Sequence, residues 1–169
     1  GFPKNGRTTV DGIHYVRGTK LEDSEFRSDP IHPMTRSDLV GILGSQTARK
    51  VDLLTHKVVK QGSDVLRERI KDIRSRCNYL ILDVTEQADL TIIAGAVYDE
   101  PVLCGSSALM EELTAFWDDP VAQSEVTRPP LVTDCGILCT AGSLMPQTVA
   151  QIEYMRENGA YTLVLDTSQ

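Results

Sequence analysis

Aromatic side chains are scarce in this sequence, 5% of 169 residues with a single tryptophan, which argues against an aromatic-rich binding surface. No run of Lys and Arg exceeds a pair, and 17 basic against 24 acidic residues leave a net charge of −7. A surface for nucleic acid or anionic membrane is therefore not expected. No apolar stretch approaches the roughly 20 residues of a membrane span, and no signal peptide precedes Gly1, so a cytoplasmic location is expected. The four cysteines, Cys77, Cys104, Cys135 and Cys139, include no CxxC pair and read as reduced core thiols rather than as a disulfide or metal framework. His14, His32 and His56 stand apart with no ligand or triad spacing and read as surface or hydrogen-bonded residues; no metal site is expected. Neither GxxxxGK[ST] nor GxGxxG occurs, so no phosphate loop is announced.

What is present is an aliphatic chain, 41% hydrophobic, long enough for one well-filled core or for one domain and the opening of another. Arg7 to Leu21 reads as a β-hairpin turning at Asp11-Gly12, with a further turn at Gly18. Leu21 to Pro33 lacks periodicity and reads as an irregular loop. Thr35 with Asp38 suggests a capped helix whose buried face is Leu39, Val40, Ile42 and Leu43. Thereafter short apolar strands alternate with amphipathic helices. Strands are expected at Val51 to Leu54, Tyr79 to Leu82 and Val102 to Cys104. Helices are expected from Ser63, around Leu90 to Val97, and over Ser107 to Phe116. This alternation predicts an α/β fold: a mostly parallel sheet with helices on both faces, in three layers, preceded by the hairpin. The polar, proline-bearing stretch 118–130 is the candidate linker between residues 1–117 and 131–169. The second part predicts a strand within Leu131 to Thr140, a helix from Pro146 to Asn158 closed by Gly159, and a strand from Tyr161 to Leu165.

Ligands of open parallel sheets bind beyond the carboxyl ends of the strands, which directs attention to the strand-to-helix junctions. Asp83 ends one strand, Gly105-Ser106-Ser107 follows another, and Gly142-Ser143 follows a third. At the last two a glycine and a hydroxyl precede a helix, which suits either an anion or simple capping by Ser107 and Ser143. Asp83 and Asp89 suit a general base, a Mg²⁺ ligand or, for Asp89, a charge complementing the helix dipole. Arg7, following Gly6, is a guanidinium that could grip a carboxylate through two parallel hydrogen bonds, or a solvated turn residue.

Four segments, FPKNGRTTVDGIHYV, SDPIHPMTRSDLVGILGSQT, LILDVTEQADLTIIAGA with the later GSSALMEEL, and AGSLMPQTVAQIEYM, together resemble the four-carbon acid sugar kinases in order and spacing. Members of that family phosphorylate threonate, erythronate or 3-oxo-tetronates with ATP, through a sugar-acid-binding domain followed by a nucleotide-binding domain. The resemblance implies that residues 1–117 are the later part of the acid-binding domain and 131–169 the first βαβ of the nucleotide domain. It places Gly6, Arg7, Thr8, Gly105, Ser106 and Ser107 on the substrate side, where the strand-end position also puts Asp83, and Gly142, Ser143 and Thr148, with Gln151, near ATP. Ser107 and Ala108 stand where the family usually carries Ala-Gly. The family's Ala-Asp-Asp-x-Thr-Gly-Ala motif and its glycine-rich nucleotide loops are not in the chain, and no catalytic residue is assigned. ATP and Mg²⁺ are expected in the complete enzyme and neither on this chain alone, which is expected not to turn over. A sugar acid is the expected partner, with a homodimer admitted. The competing reading is a non-catalytic module that binds a small acid or another protein; a weaker third is an unrelated nucleotide-binding α/β domain.

Overall fold

The computed structural model describes residues 1–29, 31–117, 136–143 and 146–165, and the chain divides into two units, Gly1–Gln123 and Ser124–Gln169. In the first unit the β-formers around Asp11-Gly12 make β1 (Arg7–Val10) and β2 (Ile13–Val16), with Thr9 opposite His14. Asp11 and Gly12 have φ of 50° and 77°, the left-handed pair that a two-residue turn between twisted strands demands. A side chain at position 12 would meet Leu53 Cδ2 at 3.1 Å, so glycine also permits the hairpin to lie close to the neighbouring sheet. A second turn of the same kind at Arg17-Gly18 adds the short β3 (Thr19–Lys20). The irregular stretch after it contains two 3-10 turns, Leu21–Asp23 and Glu25–Ser28, the second begun by the Ser24 hydroxyl accepting from Phe26 N–H.

Helix α1 (Leu39–Gly44) is shorter than the sequence suggests, and its apolar residues are only half buried. Asp38, not Thr35, occupies its N-cap, and that side chain pairs with Arg36 instead of capping. Then β4 (Val51–Leu54) leads through α2 (His56–Val59) to α3 (Ser63–Ile73), and β5 (Tyr79–Leu82) leads into α4 (Gln87–Val97) and α5 (Ser107–Leu113). Strands β4 and β5 pair in parallel, Val51 opposite Tyr79 and Leu54 opposite Leu82. The sequence predicts a mostly parallel sheet; among the described residues parallel pairing is confined to this one pair, beside the three-stranded antiparallel sheet. The fold is α/β, with helices and both kinds of sheet.

The core forms where α3 and α4 present their apolar faces to one side of β4 and β5. Leu66, Ile70 and Ile73 recur at spacings of four and three, so they fall on one stripe of α3. With Val59, Leu90, Ile93, Val97 and Leu113 they enclose an aliphatic cluster, in keeping with the scarcity of aromatics. Gly95 lets α4 approach the start of α3, where a Cβ would stand 2.7 Å from Ser63 Oγ. Arg67 clamps the far end: its guanidinium holds Asp99 at 2.9 Å, donates to the Gly95 carbonyl at 2.6 Å and lies over the Tyr98 ring.

Three expectations are corrected in part or whole. Val102 to Cys104 is not a strand: it follows Pro101, forms no bridge to another strand among the described residues, and leaves Val102 84% exposed. The core-thiol reading fails for Cys104 and Cys139, which are exposed, whereas Cys77 packs against the core and its thiol is pushed up by burial; Cys135 lies outside the described residues. In the second unit α6 (Pro146–Glu157) forms and ends at Gly159, φ 89°, but Gly136–Thr140 and Tyr161–Leu165 are not strands. Ile137, Leu138, Tyr161 and Val164 are exposed there, because a β-former becomes a strand only where another strand offers its hydrogen bonds. The expected linker and the residues from 131 to 135 lie outside the described residues. Among the described residues no helix is long and apolar enough to cross a membrane.

Candidate functional site

The two sheets meet at the carboxyl ends of β4 and β5, and Asp83 is the residue that joins them. It directly follows β5 and is completely buried. Its carboxylate accepts from the backbone N–H groups of Asp11 at 2.6 Å, Gly12 at 3.0 Å and His56 at 3.0 Å. One side chain therefore holds the hairpin turn and the start of α2 against the parallel pair. The next residue completes the junction: Thr9 and Val84 exchange backbone hydrogen bonds of 2.7 and 3.2 Å. A buried carboxylate is tolerated there because three N–H donors replace its lost water.

Around this junction the run before β1 folds back on itself. Gly6 in the left-handed conformation closes a 3-10 turn, Pro3–Asn5, and Phe2 and Arg7 exchange backbone hydrogen bonds of 2.6 and 3.0 Å. Gly1 lies wedged between them and the sheet, so that an added Cβ would stand 2.8 Å from Val84 Cβ and 3.1 Å from the Arg7 carbonyl. The Ser106 hydroxyl donates to the Gly1 carbonyl at 3.0 Å, and Lys4 pairs with Glu111 of α5. The Arg7 carbonyl, the Val84 side chain and the Ser106 hydroxyl thus gather around Gly1, while Gly105, Ser106 and Ser107 stay exposed. Thr8 is half buried. The Arg7 guanidinium is exposed, sits 5.0 Å over the Phe26 ring and has no carboxylate partner among the described residues.

The hydroxyls do not cap α5. Ser106, not Ser107, occupies the N-cap, and its side chain turns to Gly1 instead. Asp89 is a true capping residue: its Oδ2 accepts from Thr85 N–H, Thr85 O–H and Glu86 N–H, completing a reciprocal box with Glu86 at the start of α4. Those bonds account for its burial without a base or metal role. In the second unit Gly142 and Ser143 are exposed ahead of α6, and Thr148 is half buried in its first turn.

His14 adds a pH dependence to the hairpin. It lies beside Thr9 Oγ1 at 3.1 Å, and burial, reinforced by nearby positive charge that includes Arg7, lowers its pKa from 6.5 to about 4. The folded chain therefore refuses a proton that the unfolded chain accepts between those values, and stability must fall as pH drops through that window. Urea midpoints of the wild type are expected to decline from pH 7 to pH 5 more steeply than those of His14→Gln. Parallel declines would show that His14 does not contribute.

Two residues carry no site role in the sequence alone: His56 stands isolated there, and Asp11 reads only as half of a turn. The structure places both at Asp83: His56 Nδ1 lies 3.7 Å from Asp11 Oδ1 and 3.5 Å from Asp83 Oδ2. The available signal was positional, since His56 stands two residues beyond β4 just as Asp83 stands one beyond β5.

The sugar-binding N-terminal domain model matches residues 1–113. A 3-oxo-tetronate kinase of Pseudomonas savastanoi is 38% identical over 109 residues, 64% of this chain and 25% of its own. One from Cupriavidus necator is 30% identical over 169 residues, 98% of this chain and 39% of its own. A solved Haemophilus influenzae protein superposes with a TM-score of 0.65 at 23% identity, over 93% of this chain and 38% of that one, and shows likeness of fold. The chain thus spans between 25% and 39% of the length of these curated relatives. With two thirds of its residues inside the matched model, and with the resemblance in its motifs borne out by these relatives, the chain belongs to the sugar-binding N-terminal domain family.

Proposed function

We propose that this chain supplies the acid-binding part of an ATP- and Mg²⁺-dependent kinase acting on four-carbon sugar acids of the 3-oxo-tetronate, threonate or erythronate type. The observation that carries the reading is the exposed Arg7 guanidinium, without a carboxylate partner among the described residues, on a strand whose first carbonyl adjoins Gly1 as the Ser106 hydroxyl does. Parallel sheets bind ligands at the carboxyl ends of their strands. In this reading Arg7 pairs with the substrate carboxylate, and an exposed guanidinium with no carboxylate of its own is suited to that task. Gly6, Thr8, Gly105, Ser106 and Ser107 line the acid's hydroxyls. Asp83 acts as a positioning residue, because its oxygens already hold the hairpin turn. Gly142, Ser143 and Thr148 contribute to the nucleotide side.

Phosphoryl transfer requires acceptor, nucleotide and metal held together, so the chain by itself binds acid without turning it over. Calorimetry with threonate, erythronate and ATP is expected to give heat for an acid and none for ATP. Arg7→Ala should weaken that binding by about 1.5–3 kcal/mol, the value of hydrogen bonds to a charged group. Affinity unchanged in Arg7→Ala removes Arg7 from the site. Binding of ATP alone contradicts the acid-binding reading.

A further inference from the structure

We propose that Asp11, His56 and Asp83 form a binding site for a divalent transition-metal ion. Each offers one ligand atom, and the three atoms lie within 4.8 Å of one another. The measured separations, 3.5 and 3.7 Å from His56 Nδ1 to the two carboxylates, suit a shared ion. Two ligands about 2.1 Å from a metal at a tetrahedral angle stand roughly 3.4 Å apart.

A second observation points the same way. His56 Nδ1 is buried and has no hydrogen-bond partner among the described residues, although it faces two carboxylate oxygens. Neither Asp11 nor Asp83 has a Lys or Arg ion-pair partner among the described residues. In the neutral tautomer that leaves Nδ1 unprotonated, its lone pair faces two carboxylates, and a cation at their centre relieves that repulsion. Asp83 Oδ2 already accepts two N–H bonds, from Asp11 and His56, whereas Oδ1 accepts one, from Gly12, and keeps an acceptor position for such an ion. The backbone of each ligand is already fixed: Asp11 by its turn, His56 by its own N–H on Asp83, and Asp83 by its burial. The Asp11 side chain is 60% exposed, which leaves a path from solvent and room for water ligands. One imidazole with two carboxylates selects Zn²⁺ or Mn²⁺ over Mg²⁺, which prefers oxygen alone.

The site is tested with the metal alone, without acid or ATP, so its failure leaves the acid-binding reading untouched. Titration with Co²⁺ should raise a visible d–d band, and Zn²⁺ should raise the melting temperature, with Mg²⁺ at equal concentration having less effect. His56→Gln and Asp11→Asn should each lower metal affinity tenfold or more while melting like the wild type in chelator, since neither removes a backbone bond to Asp83. Absence of both signals in the wild type overturns the proposal, as does wild-type affinity in both variants, which would place the ion elsewhere, for example on the exposed thiols.

Discussion

Replacement of Asp83 by alanine is expected to destabilise the first unit by about 3–5 kcal/mol, the largest loss for any polar residue described in it. The reason is what remains after the carboxylate is gone. Three backbone N–H groups, on Asp11, Gly12 and His56, lose their acceptor at a fully buried position. Each orphaned donor costs about 1–3 kcal/mol, partly recovered if water enters the cavity. Asp83→Asn retains the shape, and with its carbonyl at the Oδ2 position it still accepts from Asp11 and His56 while its N–H₂ opposes Gly12 N–H, so it should recover part of the loss and not all of it. The hairpin should also detach first: amide exchange of Thr9 and Val84, whose mutual bonds sit beside Asp83, should accelerate more than that of α3. Urea unfolding within about 1 kcal/mol of the wild type would show that Asp83 is not the fastener of the two sheets.

Leu66→Ala is expected to cost about 2–5 kcal/mol, the range for truncating a fully buried leucine. Leu66 is completely inaccessible and begins the stripe, Leu66, Ile70 and Ile73, that α3 presents to the core. The surrounding cluster is aliphatic and tied down at its end by Arg67 and Asp99, so it can collapse only partly onto the vacated space. Met110→Ala, on the half-exposed side of α5, should change stability by about 0.5 kcal/mol or less. Denaturant midpoints of the two variants give the comparison directly. Equal effects would mean that the core does not lie between α3 and the parallel pair.

Local chemistry was legible in the sequence wherever one segment decides its own conformation. Asp11-Gly12 announces a turn because few other pairs adopt positive φ twice. The spacing of Leu66, Ile70 and Ile73 announces a helix because only that period puts them on one face. Sequence reading failed where a partner from elsewhere decides. Val102 to Cys104 has the composition of a strand, yet nothing described in its unit pairs with it. His56 looked solitary because its neighbours Asp11 and Asp83 are 45 and 27 positions away and meet it only through folding. The family motifs carried information that periodicity could not: they singled out Arg7 and Gly105-Ser106, and in the structure the Arg7 carbonyl and the Ser106 hydroxyl both lie beside Gly1.

The most direct test is a nuclear magnetic resonance titration of the labelled chain with a four-carbon sugar acid. Binding at the proposed corner shifts the backbone amides of Gly6, Arg7 and Thr8 together with those of Gly105, Ser106 and Ser107, and leaves α6 unmoved. Saturating acid that moves none of these six amides, or shifts only residues remote from β5, would contradict it.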